Sequence, residues 1–563
     1  TLLLAIFTTC VLISPGPLAA QEARGREAPE EATGIAEKKL VTAKKHMVVA
    51  ANPHAVRAGR EILRAGGSAI DAAIAVQLVL NLVEPQSSGI GGGAFLLHWS
   101  NNDRKLTSYD GRETAPAAAK SDRFLIDGER MPFRKAVRSG LSIGVPGLIA
   151  MLKLTHEKHG KLPWAKVFEP AIELSEKGFA VSPRLHALLL YVGVEHFDAK
   201  AQNYFFDADG KPWPVGHVLI NKEFGETLRS IARDSVDAFY KGAIAKKIVT
   251  AVQGAHNTPG DMTFADLATY KAKTREPICA VYRGAKICGM GPPSSGGLTV
   301  LQSLALVEEA AKREGRSVSK IVDGMHMIAE AEKLAFADRN RYIADPDFVA
   351  TPSGMLDAGY ITERSKLINP ISAMPRAKPG LPPGLRNKTH GRDATYERSG
   401  TSHISIIDSE GNAVAMTSSI EGAFGSGVWA AGFLLNNELT DFSFRPTDKA
   451  GNAIANRVEG GKRPRSSMSP TIVFNAESGE LEAVLGSPGG TRIIIYVVKA
   501  LVALIDWKLD AQQAAAFVNF GARREKFELE EGPSDAQAFL GPLTTKGHKI
   551  RRDRMTSGLH IIT

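Results

Sequence analysis

The chain has 563 residues, 44% of them hydrophobic and 23% charged, which is enough apolar material for a large core and excludes a disordered or fibrous protein. Its net charge is +9 and its pI about 9.2. The short basic runs Lys462-Arg463-Pro464-Arg465 and Arg551-Arg552-Asp553-Arg554 carry no interleaved aromatic residues, so the excess reads as a solvated surface and not as a nucleic-acid platform.

Residues 2–13 form an apolar run too short for a membrane span, followed by Pro15, Pro17 and the small pair Ala19-Ala20. That pattern reads as a secretory signal over 1–20 with its basic n-region missing, and it predicts a periplasmic or secreted protein. Residues 21–44 are charged and Ala/Glu-rich, an extended lead-in. A strand is expected at 47–51, then a helix at 53–65 closed by Gly66-Gly67, then a very apolar helix at 69–82 capped by Ser68. The loop Gly89-Ile90-Gly91-Gly92-Gly93 follows that helix and precedes a strand at 94–99. A dinucleotide fingerprint needs strand, loop, helix in that order, so this one is rejected and its glycines are left for close backbone packing or for lining a pocket.

A strand at 105–110 ends just before Arg112, which is placed to take a carboxylate bidentately. Helices are expected at 147–158, 164–177, 222–234 and 243–253, with a short capped one at 263–271. Cys279 and Cys288 flank a hairpin with Arg283-Gly284 at its tip, which sets them opposite each other as a cross-strand disulfide or as two buried thiols. Long helices follow at 298–312 and 319–343. Residues 369–399 are rich in Pro, Gly and charge and read as an exposed linker that delivers the chain to Gly400-Thr401.

Beyond Thr401 strands dominate, at 403–408, 413–419, 471–474 and 481–485. Gly486-Ser487-Pro488-Gly489-Gly490 then opens a helix at 491–505. Strand, glycine loop, helix is the order in which backbone N–H groups hold an oxyanion at a helix start. No Lys follows as a phosphate loop requires. A Thr becomes a nucleophile when the peptide bond before it is cut, because its freed α-amine lies within reach of its own hydroxyl. Thr401 behind Gly400 is the candidate. Arg112 with Ser466 and Ser467 suits a carboxylate, and Glu438 with Asp441 suits an ammonium group; together they would hold a zwitterionic amino acid by both ends.

From Met47 to about Leu559 the chain resembles the γ-glutamyltranspeptidase family of N-terminal-nucleophile hydrolases. The motifs that carry the resemblance are Glu84-Pro85-Gln86-Ser87-Ser88-Gly89-Ile90-Gly91-Gly92-Gly93, Asp110-Gly111-Arg112-Glu113-Thr114-Ala115-Pro116 and Gly291-Pro292-Pro293-Ser294-Ser295-Gly296-Gly297. After the linker come Gly400-Thr401-Ser402-His403 and Asn436-Asn437-Glu438-Leu439-Thr440-Asp441-Phe442-Ser443. Lys462-Arg463-Pro464-Arg465-Ser466-Ser467-Met468-Ser469-Pro470 and Gly486-Ser487-Pro488-Gly489-Gly490 complete the set, in family order.

The resemblance implies an α+β fold, a four-layer αββα sandwich. It would be made as one precursor that cuts itself at Gly400-Thr401 into a large subunit, 45–400, and a small subunit, 401–563, intertwined in one unit. Thr401 would then attack the γ-amide of glutathione or another γ-glutamyl compound, with its own amine as base and the Gly489 and Gly490 N–H groups on the oxyanion. The γ-glutamyl ester passes to water or to an amino-acid or peptide acceptor. Ser419 matches a hydroxyl near the nucleophile. Arg112, Ser466 and Ser467 match positions that hold the substrate α-carboxylate, while Glu438, Asp441 and Glu421 match those around its α-amine. No metal or organic cofactor is implied, and no membrane span after signal removal.

Two departures stand out. Glu421 occupies a position where the family has Asn, so three carboxylates would surround one ammonium unless one is protonated or turned away. The lid-like segment 442–465 contains no Tyr, which implies a more open or differently gated site. Relatives with this look include β-lactam side-chain acylases that take a glutaryl group, the alternative reading, against which the acidic cluster argues. A non-catalytic, unprocessed binding protein is a third reading, disfavoured by Thr401 and both loop glycines.

Overall fold

The computed structural model describes residues 38–563 except 256, 316, 386–389, 396, 534 and 556. The expected signal and most of the lead-in lie outside the described residues. In chain order the main strands are β1 (Met47–Val49), β2 (Gly93–Ser100), β3 (Lys105–Gly111), β4 (Lys273–Arg275), β5 (Ile278–Tyr282), β6 (Ala285–Gly289), β7 (Thr401–Ile407), β8 (Ala413–Ser419), β9 (Thr471–Asn475), β10 (Leu481–Gly486) and β11 (His560–Ile562). The helices that cover them include α1 (Pro53–Arg64), α2 (Ala69–Val83), α3 (Gly296–Arg313), α4 (Ile321–Tyr342) and α5 (Arg492–Ile505).

The strands form a six-stranded sheet in the order β1-β7-β8-β2-β3-β4 and a five-stranded sheet in the order β11-β10-β9-β6-β5. Every pairing within the two is antiparallel. Alternation along each strand sorts side chains to opposite faces. Leu97, Trp99, Ala413 and Ala415 point inward and meet Cys288, Ile472, Phe474 and Val484 of the second sheet. Their neighbours Leu96, Ile404, Val414 and Met416 point outward onto α2 and the helices around it. On the other side Ile287, Val473 and Leu485 pack under α3, α4 and α5. The result is helix, sheet, sheet, helix, the expected αββα sandwich.

All 15 residues of helix α2 are buried and all but Asp71, Gln77 and Asn81 are apolar, and Ser68 with Asp71 closes its start in a reciprocal capping box. Cys279 and Cys288 face each other across the β5–β6 hairpin and are joined as a disulfide. Three expectations need correction. The helix expected at 164–177 begins as a 3-10 turn, Trp164–Phe168, and becomes α-helical only at Glu169–Lys177, where Pro170 has no N–H to offer an earlier turn. The helix expected at 222–234 runs as Lys222–Tyr240 across a non-helical Ser235. Most consequentially, the end of the linker is drawn inward in part: Asp393, Glu397 and Gly400 are buried, while Ala394 between them stays exposed.

Candidate active site

Strands β7 and β8 pair with Thr401 opposite Ser419, and this register builds the first part of the site. Ser419 Oγ donates to the Gly400 carbonyl at 2.8 Å. The same Oγ accepts the Glu421 backbone N–H at 2.8 Å, which directs the hydroxyl proton toward that carbonyl. The peptide bond before Thr401 is therefore polarised by a neighbouring strand. Gly400 is required sterically, since a Cβ there would lie 2.1 Å from the Glu421 carbonyl oxygen. His403 plays no acid–base part in this arrangement. Its ring is buried between Thr417 Oγ1 at 2.8 Å and Ser405 Oγ at 3.1 Å, and burial, with His560 beside it, holds it well below its ordinary range.

The glycine loop arrives from the second sheet, between β10 and α5. Gly490 has φ +56°, and a Cβ on it would meet the Arg398 carbonyl oxygen at 2.3 Å and that of Glu397 at 2.8 Å. Gly490 is thus brought against the residues that lead into Thr401, while Gly489 packs on Tyr496 of α5. The N-cap Thr491 makes no side-chain capping bond, and the Arg492 and Ile493 N–H groups donate instead to the Gly489 and Gly490 carbonyls at 3.0 and 3.1 Å.

Arg112 lies just past β3 and is fully buried. Its Nε donates to the Pro464 carbonyl at 3.1 Å, Nη1 to Glu438, and Nη2 to Asp441 at 2.6 Å and the Arg465 carbonyl at 3.1 Å. Glu438 and Asp441 sit on one 3-10 turn, Glu438–Asp441. The turn is anchored by Asn436, whose amide bonds Gly91 at 2.7 Å and Gly144 at 2.9 Å. Burial pushes both acids up, against the pull of Arg112. Burial, then Glu438, pushes Glu113 well up as well. Glu421 joins this acidic cluster but is held by partners other than Arg112. It accepts the Arg398 N–H at 3.0 Å and the Asn437 amide, and burial followed by repulsion from Glu438 raises it to about 7.

Ser466 and Ser467 behave differently from each other. Ser466 Oγ accepts the Met468 N–H at 3.1 Å. Ser467 Oγ donates to the carboxylate of Glu397, which also receives Arg339 Nη2 and lies 3.4 Å from Arg465 Nε. Burial alone would raise Glu397, but Arg339 and Arg465, with the two hydrogen bonds, outweigh it and keep the group below its ordinary value. Burial and the neighbouring Arg465 lower Arg339 to about 10.

All ten expected site residues, with Gly400, therefore fall around one region. Sequence reasoning missed Arg339 and Glu397, one placed in the last turn of a helix and the other in a linker. It also misread the basic run before Ser466: Lys462, Arg463 and Arg465 are 0%, 2% and 1% exposed and not a solvated surface. Arg463 faces Asp110 at 3.4 Å, and Arg465 faces Asp393 at 2.9 Å.

A buried Thr opening a central strand of an αββα sandwich, behind a glycine carbonyl held by a hydroxyl, defines an N-terminal-nucleophile hydrolase in its uncut form. The profile of the gamma-glutamyltranspeptidase family matches residues 55–563. The glutathione hydrolase proenzyme of Escherichia coli (strain K12) is 37% identical over 521 residues, 91% of this chain and 86% of the relative. That of Bacillus subtilis (strain 168) is 36% identical over 527 residues, with the same coverage of 91% and 86%. The solved cephalosporin acylase from Bacillus halodurans superposes with a TM-score of 0.78 at 29% identity, over 92% of this chain and 91% of that one. The chain belongs to the γ-glutamyltranspeptidase family.

Proposed function

We propose that the protein is a γ-glutamyl hydrolase and transferase that acts on glutathione and other γ-glutamyl amides after cutting itself at Gly400-Thr401. In the first step Thr401 Oγ attacks the Gly400 carbonyl carbon, and the peptide nitrogen leaves as the α-amine of Thr401. The resulting ester between Gly400 and Thr401 Oγ is opened by water, which leaves a Gly400 carboxylate and a free N-terminal Thr401. Ser419 stabilises the oxyanion of the first step. The Thr401 amine then serves as base while its Oγ attacks the γ-amide of the donor. Gly489 and Gly490 N–H groups hold that oxyanion. The γ-glutamyl ester on Thr401 passes to water or to an amino-acid or peptide acceptor.

Arg112, Ser466 and Ser467 are assigned to the donor's α-carboxylate side, and Glu438, Asp441 and Glu421 to its α-amine side. Residues 45–400 and 401–563 become the large and small subunits of one enzyme. Among the described residues no helix is long and apolar enough to cross a membrane. The apolar run at 2–13 supports export to the periplasm or beyond.

The observation that carries this reading is the Ser419 hydroxyl on the Gly400 carbonyl, 2.8 Å away. Two measurements test it. Denaturing electrophoresis of the wild type should show two bands, and of Thr401→Ala one. The cut protein should release the chromophore from a γ-glutamyl anilide faster than from a glutaryl anilide. A Thr401→Ala chain that still cuts at Gly400 would overturn the mechanism, and faster glutaryl release would favour the acylase reading.

A further inference from the structure

Away from Thr401, a cavity of about 930 Å³ lies between the helix Ala243–Gln253, the 3-10 turn Val194–His196 with the residues after it, and the segment 426–431. That is the size of a small-molecule site, roughly 300–1,000 Å³. None of the expected site residues lines it. The helix presents Ala243, Lys246, Lys247, Thr250, Ala251 and Gly254, which recur at helical spacing and share one face. Phe197, Val428, Trp429 and Ala430 supply buried apolar walls.

The walls are tied to each other without filling the space. Asp198 accepts the Trp429 N–H at 2.7 Å and the Ala201 N–H at 2.9 Å, and its own N–H donates to the Gly427 carbonyl at 3.0 Å. His196 Nε2 donates to the Gly425 carbonyl at 3.1 Å. A Cβ on Gly427 would lie 2.1 Å from the His196 carbonyl oxygen, so the two segments meet backbone to backbone. Charge at the cavity is unbalanced. Arg138, Lys200, Lys246 and Lys247 line it against Glu195 and Asp198. Both Asp198 oxygens are taken by backbone N–H groups, and Lys247 pairs with Glu223 at 3.1 Å. Three cations, Arg138, Lys200 and Lys246, then face the one acid Glu195. Arg138 Nε is buried and has no hydrogen-bond partner among the described residues. A guanidinium in that state gains most from a carboxylate, which gives it charge-assisted hydrogen bonds.

We propose that this cavity binds a small organic carboxylate with an apolar body. The body lies against Phe197, Val428 and Trp429, and the carboxylate meets Arg138, with Lys200 and Lys246 adding attraction at longer range. The excess of cations selects an anion over a neutral or cationic molecule of the same shape. The site owes nothing to Thr401 or to cutting at Gly400, so it stands or falls apart from the proposed reaction.

Titration calorimetry and thermal shift on the whole protein test this with three probes of one chain length: octanoate, octanol and octylamine, the last protonated at pH 7. Octanoate should bind once per chain and raise Tm, octanol should bind at least fivefold more weakly, and octylammonium should not bind. Arg138→Met should weaken octanoate at least tenfold and leave octanol as it was. Ala251→Trp, which fills the cavity, should abolish both. Should Ala251→Trp fail to fold, Ala251→Leu narrows the same space and should weaken both at least threefold. The uncut Thr401→Ala chain should bind octanoate like the parent. Octanoate that ignores Arg138→Met, or binds no better than octanol, overturns the charge assignment and with it the proposal. Octanoate that ignores the Ala251 variants, or is lost in Thr401→Ala, places the ligand elsewhere and overturns the site. Self-association in light scattering that Ala251→Trp abolishes would give the cavity to a second copy of the chain and overturn it as well.

Discussion

Replacing Ser419 by Ala isolates the contact on which self-cutting is argued to depend. Its Oγ donates to the Gly400 carbonyl at 2.8 Å and accepts the Glu421 N–H at 2.8 Å. In the ground state the first bond is worth about 1 kcal/mol net. Once Thr401 Oγ adds, the carbonyl oxygen carries charge and the same donor is worth about 3 kcal/mol. The difference of about 2 kcal/mol slows cutting roughly 30-fold. The orphaned Glu421 N–H lowers stability by a further 1–3 kcal/mol or about that, which shifts Tm but does not by itself change the barrier. Uncut chain refolded from denaturant is held at constant temperature and sampled on denaturing gels, and loss of the full-length band gives the rate. Ser419→Thr restores a hydroxyl and should recover most of it. A Ser419→Ala chain that melts earlier but cuts at the parental rate would refute the argument, because the hydroxyl would then serve only the Glu421 amide.

Glu421 is raised to about 7, first by burial and then by Glu438, so the folded chain holds a proton there that the unfolded chain has released. Its contribution is full below about pH 4.5 and is lost as pH rises to about 7, a change of roughly 3 kcal/mol. The uncut Thr401→Ala protein should therefore lose Tm between pH 5 and 7.5, and adding Glu421→Gln should flatten that slope; an unchanged slope places the proton on a neighbouring acid. Gly490→Ala puts a Cβ 2.3 Å from the Arg398 carbonyl at φ +56°, so cutting on the same gels should slow severalfold or more and Tm should fall by several degrees. A variant that cuts and melts like the parent would exclude the close approach of loop and tail. Reducing Cys279–Cys288, which closes a sequence separation of 9, should destabilise the protein by about 2.5 kcal/mol in calorimetry. Because β5 is the far edge strand of its sheet, cutting at Gly400 should be unaffected.

The central strands and the order of the site motifs were legible because they depend on local pattern. Strand 413–419 and helix 243–253 were read with the bounds they have in the fold. The charge pairing was not legible, because its partners are far apart in sequence. Lys462-Arg463-Pro464-Arg465 has the composition of a surface run, yet Arg463 finds Asp110 and Arg465 finds Asp393 and Glu397. Nothing local marks an Arg as buried when its counter-charge comes from another layer. The linker failed for the same reason: 369–399 has a loop's composition, but Asp393 and Glu397 are drawn in by cations that lie elsewhere in the chain. A charge count per predicted region would have been the available signal. It would have flagged a basic run next to two site serines and an acidic residue next to the cutting point.

Charge also separates the γ-glutamyl reading from the glutaryl one. Around Arg112 stand Glu438, Asp441 and Glu113, with Glu421 repelled by Glu438, and burial pushes every one of these carboxyls upward. The cluster is short of positive charge. A γ-glutamyl donor brings an α-ammonium that lets a further carboxyl ionise, whereas a glutaryl donor brings none. Glu438→Gln removes one acid and should lower the γ-glutamyl to glutaryl ratio of kcat/KM at least tenfold. That is the low end of the roughly 1.5–3 kcal/mol expected for a hydrogen bond to a charged group. The loss should fall on the γ-glutamyl arm. In the parent the ratio should climb with pH, since only an ionised carboxylate holds the ammonium, and the climb should be shallower in the variant. A ratio that ignores both Glu438 and pH would mean that the ammonium is held elsewhere, and the acidic cluster would then have to be explained by the packing of Arg112 alone.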